Sequence, residues 1–162
     1  MGGVGRALSA MRDPTQLRIW QRAIRLSAQI AKAIPISAGR KSPGLRAQAI
    51  RAASAVAEAI AEGCGKDSDW ELARYVNIGC GSVTELQTQL VLAQRHGILS
   101  GAQLKYFWRE CSELRRMMVV FERKVRERAA QRDQEQATAK KSTGNRQPPA
   151  EPPSCPLSHP DA

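Results

Sequence analysis

The chain has 162 residues, a formal net charge of +10 and hydrophobic residues making up 42%, which is one domain's length and enough to bury a core. Aromatics account for only 4%, so alanine and aliphatic side chains must build that core. No run approaches the ~20 apolar residues of a membrane span, residues 1–10 lack the apolar centre of a secretory signal, and Arg6 stands where an N-myristoylation motif needs Ser or Thr.

The prolines lie before residue 44 or after residue 147, and the stretch between reads as long helices. Residues 1–12 are expected to be a disordered extension, with Met11 a candidate true start. Asp13-Pro14-Thr15-Gln16 reads as a helix start, with an N-cap, a proline at the first position and a capping-box partner. From there Leu17, Trp20, Ile24, Ala28 and Ala31 recur at helical steps and mark an apolar face. Pro35 should stop this helix near Ile34, leaving residues 35–44 as a loop. The second helix spans about Leu45 to Glu62, is rich in alanine, and ends at Gly63 and Gly65. Ser68-Asp69-Trp70-Glu71 reads as a capping box, and a heptad follows at Leu72, Val76, Gly79, Val83, Leu86, Leu90 and Ala93. Arg95-His96-Gly97-Ile98 suits a Schellman ending. Ser100-x-x-Gln103 opens the fourth helix, whose seam is Leu104, Phe107, Cys111, Leu114, Met118, Phe121 and Val125. Helical propensity lasts to about Gln136, and residues 137–162, with six prolines, are expected to be a disordered basic tail.

Short connections between helices of similar length predict an all-α fold, an antiparallel up-down four-helix bundle over residues 13–136. If the chain reverses near residue 66, Ala52 and Ala53 face Gly79 and Gly81, and small residues on both sides give a tight seam. The same register sets Gln48 and Arg51 opposite Ser82 and Glu85, with an Arg51–Glu85 interaction expected.

Four stretches carry a resemblance: Leu17-Arg-Ile-Trp-Gln-Arg-Ala23, Gln48-Ala-Ile-Arg-Ala-Ala53, Ile60-Ala-Glu-Gly63 and Gly81-Ser-Val-Thr-Glu-Leu-Gln-Thr-Gln-Leu90. With Leu92-Ala93 and Gly97-Ile-Leu99 they resemble the bacterial 23S rRNA intervening-sequence protein family over roughly residues 13 to 127. The resemblance implies a four-helix bundle that assembles as a ring-like homopentamer. It extends to the accessory proteins of diversity-generating retroelements, which are basic, bind nucleic acid and partner a reverse transcriptase. The family name marks where some of its genes sit, inside rRNA insertions, and names no reaction. Where the family has Pro and Asn before Ile-Ala-Glu-Gly, this chain has Ala57 and Ala59, which implies a straighter second helix.

A catalytic centre needs a nucleophile, a base and a charge stabiliser within mutual reach, and no pattern here supplies one. His96 sits at a helix end and His159 in the tail, and there is no GxSxG, P-loop or HExxH. Glu58 and Glu62 lie one turn apart, but the Glu-x-x-His pairs of di-iron bundles are missing. No enzyme activity, cofactor or metal is therefore expected. Cys64, Cys80, Cys111 and Cys155 form no CxxC pair, which predicts free thiols in a reducing cytoplasm.

Charge is the remaining signal. Arg18, Arg22, Arg25 and Lys32 follow steps of four, three and seven along the first helix, a stripe on the face away from the apolar set. Arg40, Lys41 and Arg46 continue it into the loop and the second helix. The fourth helix adds Arg115, Arg116, Arg123, Lys124, Arg126, Arg128 and Arg132. The seven residues from Arg18 to Arg46 are the candidate nucleic-acid contacts. With no base-reading motif, contact should be to backbone phosphates, with RNA preferred over DNA on the strength of the resemblance alone. Trp20, Trp70 and Trp108 are assigned to core or subunit contacts rather than to base stacking. The alternatives are an ordinary solvated face and a scaffold for a protein partner.

Overall fold

A computed structural model describes residues 12–40 and 42–143. They are all-α, with four helices: α1 Arg18–Ala33, α2 Leu45–Cys64, α3 Asp69–Arg95 and α4 Gly101–Thr143. No strand occurs among the described residues. The chain divides into two compact units, residues 1–130 and 131–162. The first carries the bundle and its core, and in the second the described residues form the end of α4.

The start of α1 differs from the sequence expectation. Asp13 does act as a cap, its carboxylate accepting from the Thr15 amide at 2.9 Å, but it caps a 3-10 turn, Pro14–Gln16. Leu17 is then extended, and α1 begins only at Arg18. The hydrogen bonds from Thr15 also hold the Asp13 carboxyl below its ordinary pKa. The buried face of α1 is Ile19, Ala23, Leu26 and Ile30; of the predicted set Leu17 and Trp20 are half-buried against the core, whereas Ile24 and Ala28 are exposed. Both sets fit a helical period. Burial selects the one with more aliphatic carbon, because each buried CH2 is worth ~0.8 kcal/mol and Ala28 and Ala31 offer little.

Helix α1 stops where Pro35 requires, with Ile34 extended at φ −99°. Its last carbonyls are capped from the next helix: Arg46 Nε donates to Ile34 O at 2.8 Å, and Nη2 to Ala31 O at 3.3 Å. A 3-10 segment, Ile36–Arg40, occupies the predicted loop. Gly44 then turns the chain into α2 at φ +82°, a conformation that favours glycine.

Helix α2 runs uninterrupted from Leu45 to Cys64, with Ala57 and Ala59 buried in it. Gly65 caps it, whereas Gly63 is a buried helical residue. A Cβ on Gly63 would lie 2.9 Å from Tyr75 Cβ and 3.3 Å from the Leu72 carbonyl oxygen, so α3 packs here directly on backbone. The predicted seam is tight but displaced. Gly79 approaches Val56 and Ala59, about one turn or more beyond Ala52 and Ala53, which are buried elsewhere in the core. Gly81 is exposed with nothing near it. Gln48, Arg51 and Glu85 are exposed and Ser82 is half-buried. No ion pair joins Arg51 to Glu85 among the described residues. Both side chains sit on solvent-exposed faces of their helices.

Helix α3 follows its heptad closely, with Leu72, Val76, Gly79, Val83, Leu86, Leu90 and Ala93 all buried. Ser68 caps it by accepting from the Trp70 amide. Its end is the Schellman motif expected: Ile98 N donates to Ala93 O at 2.8 Å and Gly97 N to Gln94 O at 3.0 Å, with Gly97 at φ +66°. The Ser100–Gln103 capping box closes in both directions, at 2.8 and 3.2 Å. Phe107, Cys111, Leu114, Met118 and Val125 are buried as the seam predicts, and Ala129 extends it. The helix continues to Thr143, past the expected end at Gln136. The remainder of the expected tail, and residues 1–11, lie outside the described residues.

Asp69 ties the ends of the bundle together. Its side chain is only 2% exposed, yet it accepts Nε and Nη2 of Arg128 at 2.9 Å each and a further bond from Arg12. Arg12 is therefore part of the fold rather than of a loose extension. Burial alone would raise the Asp69 carboxyl, but the Arg128 hydrogen bonds and the two guanidinium charges outweigh it and hold the pKa below its ordinary value. Cys64, Cys80 and Cys111 are buried and free, and burial pushes the Cys111 thiol up to about 12. Cys155 lies outside the described residues.

The packing at these positions can be checked by substitution. Gly63→Ala lowers stability by ~1–3 kcal/mol despite alanine's better helix propensity, because the new methyl meets Tyr75 Cβ and Leu72 of α3. Gly81→Ala raises stability by ~0.5–1 kcal/mol, because it adds only propensity. Urea midpoints for the two variants should move in opposite directions. Asp69→Ala lowers stability by ~1.5–3 kcal/mol at neutral pH, the range for hydrogen bonds to charged groups. Since the folded pKa is depressed, this contribution is present above the unfolded carboxylate pKa and fades as pH falls through the folded one. The gap between wild type and Asp69→Ala in thermal unfolding should therefore close on acidification.

Candidate nucleic-acid interface

The register of α1 decides where its basic residues stand. With Ile19, Ala23, Leu26 and Ile30 inward, Arg18, Arg22, Arg25 and Gln29 flank the core on the side of α4 instead of facing away from it. Arg22 is the nearest to the core and is half-buried. Its Nη2 donates to Glu110 Oε2 of α4 at 2.8 Å, and its Nη1 lies 3.9 Å from Met117 Sδ. Arg22 is thus committed to holding α1 against α4. Its Nε is buried without a hydrogen-bond partner, so the pairing leaves one donor unmet.

Arg18 and Arg25 remain exposed on either side of it. Arg18 shares a recess with Glu113, Arg116 and Lys124 of α4. Arg116 reaches Glu113 at 2.7 Å within its own helix, an exposed pair of little energetic weight. Arg25 lines a second recess with Gln29 and Glu110, the carboxylate already paired to Arg22. Gln29 Nε2 donates to the Tyr106 hydroxyl at 3.2 Å. The α1–α4 groove therefore presents Arg18, Arg25 and Lys124, while Glu110 is paired with Arg22 and Glu113 with Arg116.

The other expected contacts are more scattered. Lys32 is exposed near the end of α1 and Arg40 is exposed in the 3-10 segment. Arg46 is half-buried in its capping role, and Lys41 lies outside the described residues. Arg116 and Lys124 are not among the expected contacts. A signal for Lys124 is present in the sequence: Met117, Phe121 and Lys124 step by four and three, which marks the flank of α4 that meets a neighbour.

Among the described residues no group of three or more His, Cys, Asp or Glu side chains is placed to hold a metal ion. No described helix is long and apolar enough to cross a membrane. The model of the 23S rRNA-intervening sequence protein family matches residues 15–120, from the 3-10 turn into the middle of α4. The chain belongs to this family. No significant match is found among curated proteins. The family segment contains both walls of the α1–α4 groove except the stretch of α4 that carries Phe121 and Lys124, which follows it.

The pairing of Arg22 with Glu110 is open to measurement. Arg22→Ala and Glu110→Ala, singly and together, should give a coupling energy of about 1 kcal/mol in urea unfolding, more than an exposed pair returns. Arg18→Ala in place of Arg22→Ala should show no coupling to Glu110.

Proposed function

We propose that this protein is a non-enzymatic, oligomeric nucleic-acid-binding protein that grips backbone phosphates along the α1–α4 groove, with RNA preferred over DNA. The observation that carries this reading is the gathering of Arg18, Arg25 and Lys124 from two helices along one groove whose carboxylates, Glu110 and Glu113, are already paired with Arg22 and Arg116. Such a set of cations attracts a polyanion, and each phosphate neutralised releases condensed counterions. The absence of a base-reading motif in the sequence supports contact with backbone rather than base edges. The RNA preference rests on the family's name and on the sequence resemblance.

The reading includes an up-down bundle with antiparallel neighbours. In support, partners fall in number along one helix as they rise along the next: Arg22 with Glu110 and Gln29 with Tyr106, or Asp69 with Arg128 and Gln87 with Ser112. It also includes a cytoplasmic location, which buried free thiols support, and a homopentamer, by family resemblance. Repeating a subunit of charge +10 multiplies the phosphates one particle engages. By the same resemblance a reverse transcriptase is a candidate partner. A scaffold for a protein partner is the second reading, favoured by the exposed Ile24, Val119 and Val120 on α1 and α4.

Filter binding of structured RNA across a salt series tests the first reading. Wild type should bind with micromolar or tighter affinity that falls steeply with salt. Arg18→Glu with Arg25→Glu should weaken binding at least tenfold and reduce the salt slope by ~1–2, since each phosphate no longer neutralised removes about 0.7–0.9 from it. No binding at low salt would leave the scaffold reading in its place.

A further inference from the structure

A second groove, of about 980 Å3, lies between the C-terminal end of α3 and the first turns of α4. Its apolar surface comes chiefly from Val91, Leu104 and Trp108, and its cations are Arg95, Lys105 and Arg109. No carboxylate lines it among the described residues. Trp108 is 46% exposed, although it stands within a turn of Phe107 and Cys111, which are buried. Arg109 lies 5.9 Å from the centre of the Tyr106 ring, a cation–π contact that leaves its charge on the rim.

The groove does not end at Trp108. Ser112 also lines the adjoining recess, with Thr84, Gln87, Arg115 and Val119, and Gln87 Nε2 donates to Ser112 Oγ at 3.4 Å. From Lys105 to Val119 the wall of α4 extends for about 21 Å at 1.5 Å per residue. Along it, cations recur at Lys105, Arg109 and Arg115, with the indole of Trp108 between the first two.

An exposed indole among cations and free of acids is suited to one chemistry in particular. Bases of an unpaired strand offer flat π-faces spaced between negative phosphates, and aromatic side chains stack on them in a sequence-tolerant way. A duplex hides those faces. A protein partner with an acidic surface would match the cations but would not require a flat ring between them.

We infer that the α3–α4 groove takes an unpaired stretch of nucleic acid, Trp108 stacking on a base while Arg95, Lys105 and Arg109 meet the phosphates on either side. The assignment rests on the nucleic-acid reading above and adds a preference to it. The α1–α4 groove is blind to strandedness, and the α3–α4 groove supplies selection for single-stranded segments.

The test compares a labelled 12-nucleotide oligouridylate with a 12-base-pair RNA duplex by fluorescence anisotropy, using the full chain. Size-exclusion chromatography and circular dichroism accompany each variant. Trp108→Leu keeps apolar bulk and Trp108→Phe keeps a ring, and the exposure of position 108 makes both tolerable to the fold. The expected result is a loss of at least tenfold in oligouridylate affinity for Trp108→Leu, partial recovery for Trp108→Phe, and duplex affinity unchanged in both. Equal oligouridylate affinity in wild type and Trp108→Leu overturns the stacking site and leaves phosphate binding standing. Failure of wild type to bind either probe overturns the nucleic-acid reading itself. A changed elution volume in Trp108→Leu, with Trp108→Phe like wild type, assigns the groove to contact with another copy and likewise overturns the proposal.

Discussion

The distance between α2 and α3 governs the rest of this bundle. At Gly63 the backbone of α2 lies against Tyr75 and Leu72 with no space for a methyl group, and at Gly79 the backbone of α3 meets Ala59, Val56 and Met118. Such an approach is possible only where one partner lacks a side chain and the other gives way. With few aromatics available, the chain gains core density by drawing backbones together instead of filling wide gaps with large rings. The alanines of α2 serve this end: Ala49, Ala52, Ala53, Ala57 and Ala59 are buried and occupy little volume.

That narrow pair fixes what the other helices must do. Helix α4 closes the core with Phe107, Leu114 and Met118, larger side chains than most of those α2 provides. Met118 reaches Gly79, so one flexible side chain fills the space beside the glycine. Helix α1 adds Ile19, Leu26, Ile30 and the following Ile34. Two charged contacts then limit sliding between helices, Arg22 to Glu110 and the arginines around Asp69. Both guanidinium groups help to offset the cost of burying the Asp69 carboxylate. Removing either would leave a buried charge incompletely compensated.

Most of this fold is legible in the sequence where one physical signal acts alone. The α3 heptad, the Schellman turn at Gly97 and the capping box at Ser100 each depend on local spacing, and each is present as read. The reading fails where two solutions compete. In α1, Trp20 and Ile24 belong to a set as periodic as Ile19 and Leu26, and total aliphatic burial decides between them. At the α2–α3 contact, counting from the midpoint of the loop misses the displacement, because Gly63 seating on Tyr75 sets the register and loop length does not. The candidate site is affected in turn. Once the phase of α1 rotates, Arg22 moves from the expected outer stripe to an inter-helix pair, and α4 supplies Lys124 in its stead.

Helix α4 is therefore the element on which function should concentrate. Its inner face is committed to the core and one flank meets α1, where the first basic recesses lie. The other flank meets α3 and carries the exposed Trp108. The outer surfaces of α2 and α3 mix charges of both signs, Arg51 and Arg74 with Glu58 and Glu85, whereas α4 brings cations to a groove on each side. A polyanion engaging either groove would touch side chains from α4 in both cases. Under the proposed nucleic-acid reading, two grooves sharing one helix wall, one offering cations alone and one with a flat indole between its cations, would let a single subunit hold a paired segment and an adjacent unpaired one together. Both rely on a helix whose position the core geometry fixes.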